Sequence, residues 1–165
     1  MMPSAEILLA MMLWISSITS LPVAPMPHIQ YSDGKTMKLM LYGCEENALK
    51  DTDICKKIQD MDINDAKDNN TIGLYSHHTH DIYLNPSLKK MHPIVINSVI
   101  IHELVHAMQF SAEVPYRCFG ELEDLAYDVQ NRYLIKNGRQ DVFEELEVGP
   151  FFLFLIIQCN DGDAY

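Results

Sequence analysis

The chain has 165 residues, 48% of them hydrophobic and 21% charged, a balance that suits one folded domain and excludes a disordered segment. Its 23 acidic residues against 12 basic ones leave a net charge of −11, and no basic run exceeds the pairs Lys56-Lys57 and Lys89-Lys90. A nucleic-acid binder needs a basic footprint, so no nucleic acid is expected as a partner.

The first element is apolar. Ile7 to Ala24 carries no charge, and its apolar part, Ile7 to Ile15, matches the core of a signal peptide better than a membrane span of about 20 residues. Ser20, Pro22, Ala24, Pro25 and Pro27 then supply the small and helix-breaking residues of a cleavage region. Residues 1–24 are therefore expected to be a signal peptide, and residues 25–165 a single exported domain, secreted or periplasmic. "MMPSAE" has no lysine or arginine, which keeps an uncleaved N-terminal membrane anchor open as the alternative. No stable membrane span is expected in the mature chain.

Four cysteines follow, Cys44, Cys55, Cys118 and Cys159. An even number in an exported chain points to disulfides. The spacing favours Cys44 with Cys55 and Cys118 with Cys159. No CxxC occurs, which argues against a cysteine-based zinc ribbon or a thioredoxin-type site.

Residues 25 to 35 are rich in proline and turn formers and read as an extended lead-in. Thr36 to Gly43 alternates apolar and polar residues, as a strand does. Glu45 to Met61 predicts a helix, and "DINDAKDNNT" an irregular stretch. "IGLYS" and "DIYLN" flank "HHTH" and predict a hairpin that ends at Pro86. Three histidines in that turn, His77, His78 and His80, could bind a second metal or simply be solvated. "DIYLN" is a candidate edge strand for pairing with an extended peptide.

Pro93 suits the first turn of a helix, and nothing breaks the run from there until Ser111 and Pro115. A second helix runs from about Gly120 to Lys136, stopped by Asn137-Gly138. A short acidic helix is expected over residues 141 to 148. "FFLFLII", Phe151 to Ile157, is too short to span a bilayer and is expected in the core. The fold class is α+β.

The first of these two helices carries the chemistry. "HELVH" sets His102 and His106 four residues apart, one above the other on a single helix face. Two imidazoles can then meet at one point, each nitrogen about 2.0–2.1 Å from a zinc ion. Glu103 flanks that point and can take a proton from a water that zinc has acidified to a pKa of about 7.

A catalytic zinc takes three protein ligands and keeps one position for water. The next helix offers Glu121, Glu123, Asp124 and Asp128. Its apolar stripe is Leu122, Leu125, Ala126, Val129 and Tyr133. Asp124 shares a polar face with Asp128 and Asn131, and Glu121 leads to Asp128 and Arg132. Glu123 borders the apolar stripe above Ala126 and Tyr127, so Glu123 is the expected third ligand, with Glu121 in reserve. Tyr127 is the candidate hydroxyl for stabilising an oxyanion, its alternative being plain packing. Gln109 and Gln130 are candidates to hydrogen-bond the ligands.

With these residues in view, the chain resembles the zincin metallopeptidases, in the gluzincin arrangement of two histidines and a glutamate. "HELVHAMQ", a cysteine, "ExxAYxxQ" and "NG" are more narrowly similar to short, secreted, bacterial metallopeptidase-like proteins, over roughly Gly73 to Gly138. The resemblance implies a minimal zincin-like fold, a small antiparallel or mixed sheet with the HExxH helix and a following glutamate-bearing helix. It also implies one zinc per chain and hydrolysis of a peptide or protein substrate. His102, His106 and Glu123 would be the ligands and Glu103 the base. The chain departs from better-known gluzincins at Tyr127, where they carry an aspartate four residues beyond the glutamate, and it lacks their large C-terminal lobe. A zinc-binding structural or protein-interaction domain without activity is the alternative reading.

Overall fold

A computed structural model describes residues 2–41, 44, 53–60, 71–147 and 159. They fall into two compact units, residues 28–90 and residues 1–27 with 91–165. The architecture is α+β, helix-rich with one small mixed sheet.

The unit of residues 28–90 holds the sheet. Strand β1 spans Ile29–Tyr31, β2 Gly73–Ser76 and β3 Asp81–Leu84, in the order β1-β3-β2. β2 and β3 form the expected hairpin, antiparallel from Gly73↔Leu84 to Ser76↔Asp81, while β1 pairs with β3 in parallel. Residues 77–80 make the turn. His80 closes it in the left-handed region at φ 59°, and its Nδ1 lies 3.0 Å from the Tyr75 hydroxyl.

This order corrects the edge-strand expectation for "DIYLN". β3 is the middle strand, with both hydrogen-bonding sides paired, so it has no free edge to offer a peptide. Its burial agrees, since Ile82, Tyr83 and Leu84 are all buried, as befits a strand covered on both faces.

Thr36 to Gly43 is a second correction. As far as Leu41 the stretch is not a strand, because helix α2 runs over Gly34–Leu41, and residues 42–43 lie outside the described residues. The cause is a cap: Asp33 accepts from the Thr36 backbone N–H at 2.9 Å and from its hydroxyl at 2.8 Å. An aspartate in this position satisfies orphan donors of the first turn and tips an ambiguous apolar run into a helix. Helix α3 spans Asp53–Asp60, the C-terminal half of the helix expected over residues 45–61. The rest of that expectation and the "FFLFLII" run lie outside the described residues.

The other unit is helical: α1 Ala5–Thr19, α4 Pro93–Ser111, α5 Phe119–Lys136 and α6 Val142–Glu145. α1 buries Leu8, Met11, Met12 and Ile15, and Trp14 meets Tyr133 edge-on at 5.9 Å. α4 begins as expected at Pro93, behind an N-cap in which His92 Nδ1 accepts from the Ile94 N–H at 3.2 Å. α4 is long and apolar enough to cross a bilayer, yet 78% of the window that qualifies is buried within the fold, which marks it as a core helix. α5 packs along α4, and the Asn131 side chain accepts from the Val142 N–H at 2.8 Å to start α6.

Both disulfides pair as the spacing predicts, Cys44–Cys55 and Cys118–Cys159. The second ties the N-cap residue of α5 to the C-terminal region. Two disulfides fit an exported chain in an oxidising compartment.

Candidate metal centre

Five polar side chains are buried along the largely apolar helix α4: Ser98, His102, Glu103, His106 and Gln109. Burying them is costly unless each is partnered. The helical repeat stacks His102 and His106, and their Nε2 atoms come to 3.2 Å of each other.

α5 supplies the third group. Glu123 presents one oxygen to each imidazole, Oε2 at 3.2 Å from His102 Nε2 and Oε1 at 3.3 Å from His106 Nε2. Among the described residues, this is the one group of histidine, cysteine and acidic side chains that converges closely enough to hold a metal ion. The Glu123 side chain keeps 24% of its surface exposed while the imidazoles keep 9% and 11%, so solvent reaches the cluster beside the carboxylate.

The far sides of the imidazoles decide what the near sides are. His102 Nδ1 lies 3.1 Å from Gln130 Oε1, and His106 Nδ1 lies 3.0 Å from Gln109 Oε1. Gln109 Nε2 donates to the Leu122 carbonyl at 3.1 Å. Gln130 Nε2 donates to Ser98 Oγ at 3.2 Å, and Ser98 donates on to the Val95 carbonyl at 2.8 Å. Each chain ends on a backbone carbonyl, which only accepts. The direction of every link is thereby set, and both imidazoles carry their proton on Nδ1. In the neutral imidazoles, two bare Nε2 lone pairs and a carboxylate then face one another. Three acceptors without a donor repel, and a proton or a metal ion held between them would reconcile them.

The electrostatics match. Burial pulls the His106 pKa down, but the hydrogen bond and charge of Glu123, with the charge of Glu103, more than reverse this and raise it to about 9. Burial pushes the Glu123 carboxyl up, and the two imidazoles overcome that to hold it well below the usual carboxylate range. A proton on His106 thus takes the cation's place in the metal-free chain.

The other expected residues sort cleanly. Glu103 is buried beside His102, near enough for its charge to act on His106 and Tyr127. The Tyr127 ring packs edge-on against His102 at 4.5 Å. Burial first, then the charges of Glu123 and Glu103, raise the Tyr127 pKa far above 10, so the hydroxyl stays protonated. Glu121, the reserve ligand, is engaged elsewhere: Arg117 pairs with it through Nε at 2.6 Å and through its backbone N–H at 2.8 Å. Asp124 and Asp128 are exposed. His77 and His78 are exposed with their rings 3.8 Å apart, and they join no metal-holding group among the described residues.

Ser98 escapes a reading of the sequence. Its signal is a lone hydroxyl in "PIVINSVIIHELV", one helical turn before His102, fully buried in the fold. Gln130, a turn beyond Tyr127 on α5, is the group that holds His102 from behind.

No curated protein and no solved structure matches the chain. A family model described as "Domain of unknown function (DUF6647)" matches residues 44–160. That span takes in all four cysteines, the three converging side chains and both glutamines, and leaves α1 and α2 outside. Matched over more than half its length, the chain belongs to the DUF6647 family.

Proposed function

We propose that the chain is a small exported zinc metallopeptidase on a minimal zincin-like fold, hydrolysing peptide bonds in a peptide or protein substrate. The observation that carries this reading is the three-acceptor cluster with a buried glutamate beside it, Glu103 next to His102 on one helix.

Two imidazoles and one carboxylate with a solvent-facing side form the donor set of a catalytic zinc. Tetrahedral bonds of about 2.0–2.1 Å put donor atoms about 3.3–3.4 Å apart. The two imidazole Nε2 atoms stand 3.2 Å apart, and each has its own Glu123 oxygen within 3.3 Å, Oε2 for His102 and Oε1 for His106. That spacing is compatible with one zinc ion per chain held by both imidazoles and the carboxylate. Bound zinc would supply Lewis acidity toward a carbonyl oxygen and a water acidified to a pKa of about 7.

The protein's own residues divide the remaining work. His102, His106 and Glu123 hold and orient the ion. Glu103 takes the proton of the attacking water and returns it to the leaving amine. Tyr127 keeps its proton and is the candidate donor to the oxygen on which charge develops. The apolar N-terminal segment serves export, as a signal peptide or as a retained anchor, in keeping with the two disulfides.

Zinc stoichiometry, measured with cleavage of a mixed peptide library on wild type and Glu103→Gln, tests the reading. One zinc in both proteins, with cleavage lowered about 10²–10⁴-fold in the variant, is expected. Zinc in both and cleavage in neither would make the chain a zinc-binding structural or interaction domain. Absence of bound metal from both would end either reading.

A further inference from the structure

Histidines that bind metals are commonly oriented by carboxylates or backbone carbonyls. Here two neutral amides do it, and their outer partners differ. We propose that Gln109 and Gln130 are positioning residues of unequal freedom: position 130 accepts a carboxylate and thereby tightens the grip on the metal, while position 109 rejects one. The inference rests on the zinc reading above for its metal readout, and on the hydrogen-bond geometry alone for its stability readout.

The difference lies at the far end of each amide. Gln130 Nε2 donates to Ser98 Oγ at 3.2 Å, a hydroxyl that can accept or donate as it rotates. A glutamate at 130 keeps one oxygen on His102 Nδ1, and Ser98 turns its proton from the Val95 carbonyl to the other oxygen. Every buried group there stays satisfied. Gln109 Nε2 instead donates to the Leu122 carbonyl at 3.1 Å, and a carbonyl has no proton to turn. A glutamate at 109 sets two buried acceptors against each other, which costs the full desolvation of the unmade bond.

The consequence for the metal follows. A carboxylate behind an imidazole raises its basicity as a ligand, and such partners shift metal affinity by about 10–100-fold. Glutamine at 130 therefore leaves the site with a lighter hold on its ion than the surrounding fold permits. Ser98 is what makes that adjustable. His102 is also the imidazole that α5 encloses on three sides, through Glu123, the Tyr127 ring and Gln130.

The test uses the purified full chain. Zinc chloride is titrated in competition with a chromophoric chelator, and thermal unfolding of each metal-free variant is followed in parallel. Gln130→Glu should bind zinc about tenfold more tightly than wild type, with its metal-free midpoint near the wild-type value. Gln130→Leu should bind at least about tenfold more weakly. Gln109→Glu should bind more weakly, with a lowered midpoint or no folding at all. Adding Ser98→Ala to Gln130→Glu should erase the gain.

Equal behaviour of Gln130→Glu and Gln109→Glu would overturn the proposal, as would failure of Gln130→Glu to fold or a gain that survives Ser98→Ala. If the wild type takes up no zinc, the zinc reading fails by itself. The ordering of the metal-free midpoints then decides this inference independently.

Discussion

Glu123 and Glu121 stand two residues apart on α5 and do unrelated things. The helix turns them to different sides, so that Glu123 meets two imidazoles and Glu121 is taken up by Arg117. Glu123→Gln is therefore expected to weaken zinc binding by at least about tenfold, whereas Glu121→Gln leaves stoichiometry and affinity unchanged, both read by elemental analysis and competition titration. A pH dependence follows from His106. Its folded pKa of about 9 lies above the ordinary 6.5, so in the metal-free chain its proton contributes stability fully below 6.5, lost as pH rises through about 9. A metal must displace that proton. Apparent zinc affinity should then rise about tenfold per pH unit from 7 to 9 and level off above, because one proton is released in that window. A flat profile in the titration would contradict the assignment.

At the scale of elements, the centre is a property of the α4–α5 pair. α4 contributes two imidazoles, Glu103 and Gln109; α5 contributes Glu123, the Tyr127 ring and Gln130 from successive turns of one side. Ala126 sits among the latter and is fully buried. Ala126→Leu should overpack that side, lowering stability by about 1–3 kcal/mol in denaturant titrations and weakening zinc binding by forcing the ligand-bearing helices apart. The contrast with α2 is instructive. Its apolar spacing fits strand and helix about equally, and Asp33 decides for the helix through two hydrogen bonds to Thr36. Asp33 three residues before Thr36 is a capping signal visible in the sequence. The alternation of Met37, Leu39 and Leu41 suggests a strand only while that cap is left out of the reading. β3 has the opposite history: its existence is local and readable, but its central place depends on β1, some fifty residues earlier, arriving in parallel on its open side.

For the whole molecule, the disulfides act on very different lengths of chain. Cys44–Cys55 closes a separation of 11 residues and Cys118–Cys159 one of 41. Loop-closure entropy assigns them about 3 and about 4 kcal/mol respectively. Replacing Cys118 and Cys159 by serine should therefore lower the thermal midpoint more than replacing Cys44 and Cys55, as calorimetry under non-reducing conditions would show. The family match, residues 44–160, spans both bridges and the metal centre.

What the sequence alone determines is whatever one helix can enforce. His102, Glu103 and His106 follow from the helical repeat, because residues four apart share a face wherever the helix goes. The pairing of the four cysteines is legible for a related reason, since chain separation limits which partners meet easily. Only the tertiary structure decides how α5 is rotated against α4. That rotation brings Glu123, which its place beside the apolar stripe already favoured, to both imidazoles, sets Gln130 behind His102 and brings Gln109 onto the Leu122 carbonyl. Periodicity describes an element about its own axis, whereas these contacts depend on the angle and register between two axes, which side-chain packing sets.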